Sequence, residues 1–308
     1  MNIGDGNVLR TVAFTPDSAV LASAGGNDQD FAVRLWDVGS GLSIGKLEGH
    51  TGIVWGVAFS PNGQMLVSVS SDKTAKIWDW NTATLLHSID LPGEVVSAGF
   101  SPDGQFLTVG GVDEPVGDVQ HAAIWAFFVG SWNPFLKFPE YWNITAMAYS
   151  PDGRYLIGGG TSRNVQIWRT SDGTSLYTLN HPHQVFDAAV SPDGSTIATA
   201  TCQNTLNEEC TEGAVWLWNS SNGRLLDRDR LRYFPDVVES VTYSVDGSTL
   251  IAASRDGTIR IYAASDYQLL FEATPPGGNG VMALSADGGL LATGGANGSV
   301  HLWKVVYP

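Results

Sequence analysis

His50, Ser68 and Asp72 lie close together in the stretch GHTGIVWGVAFSPNGQMLVSVSSDKTAKIWD, residues 49–79. An imidazole, a hydroxyl and a carboxylate can form a nucleophilic set, in which the imidazole takes the hydroxyl proton and the acid orients the imidazole. Together with the indole of Trp78, the same groups can instead form a hydrogen-bonded framework. Indole only donates, serine donates and accepts, neutral imidazole does both through its two nitrogens, and aspartate only accepts. Catalysis also needs a hydroxyl open to a cleft and an oxyanion hole. What holds Ser68 in place decides between the two.

The elements around these residues repeat. Phe59-Ser60-Pro61-Asn62-Gly63 has relatives beginning at Phe14, Phe100, Tyr149, Val190, Tyr243 and Leu284. Alternating apolar runs flank each one, a pattern that reads as strand, tight turn, strand. Proline fixes φ in such a turn and glycine tolerates a positive φ. A second signal follows each turn, at Trp36, Trp78, Trp125, Trp168, Trp218, Tyr262 and Trp303, spaced 41 to 50 residues apart. That period suits a four-stranded blade. Length alone suggests about two domains, but seven units on one period argue for a single domain over residues 1–308.

On these motifs the sequence resembles the WD-repeat β-propeller family over essentially its whole length. The resemblance implies an all-β, seven-bladed β-propeller of four-stranded antiparallel blades. In the second blade it puts strand a near Val54–Phe59, b near Met65–Ser70, c near Thr74–Asp79 and d near Thr84–Ile89. It also implies that His50, Ser68, Asp72 and Trp78 are the family's structural hydrogen-bond network, so no catalytic residue is expected. Blade 5 comes nearest to repeating the set, with His181, Thr199, Trp218 and Glu212 in place of the aspartate. Blade 1 has Ser23, Asp30 and Trp36, with Asp5 at the histidine position; blade 7 has Thr293, Trp303 and Asn297. Blades 3, 4 and 6 lack most of it.

The family binds protein partners at the residue that opens strand a, which here gives Arg10, Trp55, Val96, Thr145, Phe186, Glu239 and Gly280. Trp55 and Phe186 are the expected anchors, because aromatic residues dominate binding hot spots; Arg10 and Glu239 are further candidates. Trp132, at a c–d turn, and Trp142 make a candidate second patch, with Phe127, Phe128, Phe135 and Phe138 expected to pack internally. The last repeat ends on strand c, so the final blade is expected to lack its outer strand, and the chain is read as a fragment with Met1 internal to a longer protein. A sensor module of a larger signalling protein is therefore an alternative function. An enzyme or small-ligand receptor using the central channel is the other.

Three b–c loops are enlarged and acidic, carrying Asp28, Asp30, Asp113, Glu114, Asp118, Glu208, Glu209 and Glu212. They suit a protein partner with a basic surface. The formal net charge of −15 repels phosphate backbones and anionic headgroups, so neither nucleic acid nor membrane is expected as a partner. A 43% hydrophobic and 15% charged composition supplies a core, and no apolar run is long enough to span a bilayer. No signal peptide is visible in MNIGDGNVLR. The Arg-rich stretch with Arg224, Arg228, Arg230 and Arg232 reads as charge on an outer strand, the last three on one side of strand d. Cys202 and Cys210 flank a loop and could form a disulfide in an oxidising compartment; in the cytoplasm, the slightly favoured location, they would stay reduced. Zinc would need two further ligands and none stands at suitable spacing. No metal and no cofactor is expected, and no HExxH, P-loop or GxSxG motif occurs.

Overall fold

The computed structural model describes residues 8–26, 30–114, 121–140, 144–206, 209–227, 231–274, 278–295 and 297–305. The chain is all-β, of the seven-bladed β-propeller class. Among the described residues six blades have four strands, in chain order a, b, c, d, and the last has three, a, b and c, each blade an antiparallel meander. Contacts divide the chain into two compact units, Met1–Ile144 with Met282–Pro308, and Thr145–Val281. Among the described residues no helix is long and apolar enough to cross a membrane.

In the first unit, blade 1 comprises Leu9–Phe14, Val20–Gly25, Val33–Asp37 and Ser43–Leu47. Blade 2 comprises Val54–Phe59, Leu66–Ser70, Thr74–Asp79 and Thr84–Asp90, and blade 3 Val95–Phe100, Phe106–Val112, Ala122–Phe128 and Pro134–Glu140. The strands of blade 2 fall within a residue of the sequence expectation. In the second unit, blade 5 comprises Val185–Val190, Thr196–Leu206, Glu209–Asn219 and Leu225–Asp227. Blade 6 comprises Val238–Tyr243, Thr249–Ser254, Ile259–Ala263 and Leu269–Ala273. Blade 4 comprises Ile144–Tyr149, Tyr155–Gly160, Asn164–Arg169 and Ser175–Asn180, and blade 7 Gly278–Leu284, Leu290–Gly295 and Val300–Lys304. Strands b are buried along almost their whole length, while outer strands such as Leu269–Ala273 are largely exposed. Apolar side chains from adjacent blades interdigitate: Val67, Ile77 and Ala75 with Val95, Val109 and Trp125, and Ala200, Val215 and Leu217 with Val238, Val241 and Leu250.

A hydroxyl clamp explains why the turn motif recurs. Ser60 Oγ accepts from the Met65 N–H at 2.9 Å and donates to Asn62 at 2.7 Å, while Gly63, at φ +70°, closes the turn onto the Ser60 carbonyl. Ser101, Ser150, Ser191, Ser244 and Ser285, and Thr15 in blade 1, donate in the same way to an aspartate two residues on, at 2.5 to 2.7 Å. That hydrogen bond is the main reason the carboxyls of Asp17, Asp152, Asp193, Asp246 and Asp287 titrate below the usual range. Satisfying the turn from its own side chain lets each a–b hairpin close without help from its neighbours.

Two expectations are corrected here. The described residues of the long acidic segment of blade 5 pair as strands rather than loop, with register shifts between Cys202 and Asn204 and between Asn204 and Thr205. Strands b and c run on to Leu206 and from Glu209, with Leu206 opposite Glu209 and Thr205 opposite Cys210. Arg232 lies beyond strand d, which is described as Leu225–Asp227. Arg228 and Arg230 lie outside the described residues. Arg232 follows in a segment that turns back along strand c, where its Nε donates to Glu212 at 2.8 Å. Leu231 and Phe234 in that segment are buried. Gly213 permits the approach, since a Cβ there would stand 2.1 Å from the Asp236 carbonyl.

Candidate functional site

In blade 2 the structure brings His50, Ser68, Asp72 and Trp78 together. His50 Nδ1 lies 2.7 Å from Asp72 Oδ2 and Nε2 lies 2.7 Å from Ser68 Oγ. Trp78 Nε1 donates to the same Ser68 oxygen at 2.8 Å. Asp72 only accepts, so Nδ1 carries the proton, Nε2 accepts from the Ser68 hydroxyl, and the chain runs from Trp78 through Ser68 and His50 to Asp72. Its polarity is that of a hydrolase triad. Ser68, however, is 0% exposed and sits mid-strand, its hydroxyl donating to His50 and its oxygen accepting from Trp78. Asp72 is also held by the Thr74 hydroxyl at 2.7 Å and the Thr51 N–H at 3.0 Å. Burial lowers the His50 pKa against the pull of Asp72, and the Asp72 pKa is lowered by its hydrogen bonds despite its own burial.

Blade 5 repeats only part of this. Thr199 Oγ1 lies 2.8 Å from His181 Nε2 and accepts from Trp218 Nε1 at 3.0 Å. His181 Nδ1 turns to the Leu179 carbonyl at 3.2 Å. Glu212, expected in the place of the aspartate, accepts instead from Arg232 and from Asn204 Nδ2 at 2.6 Å. Rings of Trp216 and Trp218 close on His181 at centroid distances of 5.1 and 4.9 Å. Burial drops the His181 pKa to about 4. In blades 1 and 7 the indoles of Trp36 and Trp303 reach Ser23 and Thr293 at 2.8 and 3.0 Å. Asp5 lies outside the described residues.

The strand-opening positions share a feature that the sequence pattern hides. In blades 1, 2, 3, 5 and 6 the a–b ladder skips one residue: Arg10, Trp55, Val96, Phe186 and Glu239 respectively. A bulge of this kind re-aims a side chain and leaves it out of the ladder. In the first unit the Arg10 guanidinium lies 4.9 Å from the centroid of the Trp55 ring, and the enclosed Trp55 indole N–H has no acceptor among the described residues. In the second unit Arg255 lies 5.7 Å from the Phe186 centroid and its Nε donates to Glu239 at 2.7 Å. A Cβ on Gly280 would come within 2.7 Å of Glu239 Oε2. Thr145 is turned inward, donating to the Val185 carbonyl at 2.5 Å. Asp187, beside Phe186, accepts from the Val241 and Ala188 N–H groups at 2.9 and 2.8 Å; enclosure still pushes its pKa up to about 6. Sequence reasoning missed Asp187, and an acid two residues into strand a was the available signal.

The remaining candidates are dispersed. Trp132 sits at positive φ in the blade 3 c–d turn and stacks on His87 at 5.7 Å; Trp142 lies outside the described residues. Phe127 and Phe138 are buried as expected, but Phe128 is exposed and packs on the surface against Phe106 and Phe135. Of the loop acids, Asp30 pairs with Arg34 and Asp113 with Lys137, while Glu114 and Glu209 are exposed. Asp28, Asp118 and Glu208 lie outside the described residues. Cys202 and Cys210 are joined by a disulfide, Cα–Cα 5.8 Å. Among the described residues no group of three or more His, Cys, Asp or Glu could hold a metal ion.

The chain is 26% identical to "Periodic tryptophan protein 2" of Arabidopsis thaliana, over 85% of this chain and 29% of that protein. It is 23% identical to "Transcription initiation factor TFIID subunit 5" of Caenorhabditis elegans, over 75% of this chain and 33% of that one. It is 25% identical to "Guanine nucleotide-binding protein subunit beta-1" of Nicotiana tabacum, over 84% and 70%. The chain thus spans about a third of the length of the first two. The family model for the WD domain, G-beta repeat, matches residues 4–37, 41–79, 132–169, 173–219, 231–263 and 271–304. It passes over most of blade 3, whose b–c insertion and aromatic c–d segment depart furthest from the repeat. With more than half the chain matched, the protein belongs to the WD domain, G-beta repeat family.

Proposed function

We propose that the chain acts as a non-catalytic docking scaffold for other proteins, with all of residues 1–308 working as one WD-repeat domain. The observation that carries this reading is the register skip at the start of strand a, which exempts Arg10, Trp55, Val96, Phe186 and Glu239 from the ladder. Side chains freed from pairing on a rigid sheet lose little entropy when a partner engages them. Trp55 and Phe186 serve as anchors, with Arg10 and Glu239 beside them. The blade 2 quartet serves as framework, since its serine is enclosed and doubly used. Two of the relatives are named as subunits, which supports work within assemblies. The net charge of −15 and the exposed Glu114 and Glu209 favour partners with a basic surface.

Trp55→Ala is expected to weaken capture of natural partners at least about tenfold, the loss of an aromatic hot spot, without lowering the melting temperature. Affinity-capture mass spectrometry with quantified binding tests it, and undiminished capture by both Trp55→Ala and Phe186→Ala counts against the scaffold reading. A single unfolding transition by calorimetry tests the one-domain part.

A further inference from the structure

The second unit contains a cavity of about 700 Å³, lined by residues that include Arg163, His183, Phe186, Arg255 and the Cys202–Cys210 disulfide. Its size suits a ligand of several side chains' bulk. Its walls are loops and strand ends of blades 4, 5 and 6: the blade 4 b–c turn carries Arg163, the segment entering blade 5 carries His183, and the blade 6 b–c turn carries Arg255. The disulfide-stapled hairpin of blade 5 stands beside them.

The donor inventory of this cavity is lopsided. Arg163 is exposed, held at φ +64°, and makes no ion pair or side-chain hydrogen bond among the described residues. Arg255 uses Nε on Glu239 and lies over the Phe186 face, with no hydrogen bond from its two terminal nitrogens among the described residues. Burial lowers the His183 pKa, and the like charge of Arg163 lowers it further. Guanidinium groups present forked donors matched to a carboxylate. Opposing them are Glu209 on the hairpin and Asp236, also in the lining. With Glu239 on Arg255 the acids at least balance the arginines overall, and Arg163 is the lining cation with no ion pair among the described residues, which suits one carboxylate and disfavours a dianion.

We infer that this cavity binds a single acidic side chain, Asp or Glu, from an extended segment of a partner protein, with a neighbouring apolar side chain resting on Phe186. Arg163 takes the carboxylate, Arg255 contributes its free terminal nitrogens, and the stapled hairpin forms the fixed wall. A partner steered in by a basic surface thus still has to present one acid at the right place. The inference rests on the docking reading above but names a chemistry that reading does not.

The test is an NMR titration of the full chain, following the His183 ring, with N-acetyl-Glu-Phe-amide, N-acetyl-Gln-Phe-amide and N-acetyl-phosphoseryl-Phe-amide. The Glu probe is expected to give a saturable shift and to raise the His183 pKa as the carboxylate offsets Arg163. The Gln probe should bind at least about tenfold more weakly, and Arg163→Gln should weaken the Glu probe by a similar factor. An unchanged His181 resonance in that variant shows that blade 5 is folded. No shift with the Glu probe, equal shifts with Glu and Gln, indifference to Arg163→Gln, or tighter binding of the phosphoseryl probe each overturns the inference. If the probe fails while Trp55→Ala still loses partners, the cavity assignment falls and the scaffold reading stands. If the probe binds while both aromatic variants keep every partner, the reverse holds.

Discussion

Blades 2 and 5 start from the same core, an indole donating to a hydroxyl that a histidine also holds, and end it differently. In blade 2 the histidine donates its one ring N–H, on Nδ1, to Asp72; in blade 5 it donates it to the Leu179 carbonyl. The acid of blade 5 is thereby free for other work, and Glu212 ties the outgoing segment to the hairpin through Arg232 and Asn204. The carboxylate is therefore dispensable to the motif, provided some acceptor meets Nδ1. It still matters for protonation. Asp72 opposes the effect of burial on His50, whereas His181 has only a backbone acceptor and two stacked indoles, and its pKa falls to about 4.

The largest expected effect is in blade 2. His50→Ala removes a packed ring and strips partners from both Ser68 and Asp72, so a loss of roughly 3–4 kcal/mol is expected from cavity and unsatisfied-group costs. Chemical denaturation measures it, and a loss below about 1 kcal/mol would mean the quartet is no more than decoration. Next is the acid limb of blade 5. Unfolded imidazole protonates near 6.5, but folded His181 resists until about 4. The unfolded chain therefore binds the extra proton between those values, and stability present above pH 6.5 is lost as pH falls towards 4, by roughly 3 kcal/mol. Asp187 works the other way. Its folded pKa of about 6 stands above 3.8, so its contribution is full below 3.8 and lost as pH rises through 6. Comparing His181→Gln with the parent chain isolates the histidine: the variant's stability should fall less between pH 7 and pH 4. An identical slope would remove the distinction between the blades. The smallest effect separates hairpin from blade. Cys202→Ser with Cys210→Ser opens a cross-link of sequence separation 8, worth roughly 2.5 kcal/mol by loop-closure entropy. Hydrogen exchange should locate the loss in residues 202–213, leaving the Ser68 strand protected.

The repeat, the blade count and the strands of blade 2 were legible because turn chemistry and alternation are local properties, each carried by a few adjacent residues. Ser60 announces its own turn, and Trp78 marks its own strand. What escaped depended on pairing between distant residues. The skip at Trp55 is a property of two strands together, and nothing in VWGVAF reveals which residue the ladder will omit. Polar composition made residues 201–213 look like loop, but cross-strand pairing of Thr205 with Cys210 and a disulfide extended the sheet through them. Glu212 occupies the expected position, yet Arg232, 20 residues on, draws its carboxylate away. Asp187 becomes unusual only once blade 6 closes over it.

The residues at the skipped positions answer to no partner strand, so little in folding dictates their chemistry: an arginine, a tryptophan, a valine, a phenylalanine and a glutamate occupy five equivalent places. Each such position can be rewritten by itself, one letter at a time, while the sheet beneath it goes on folding unchanged.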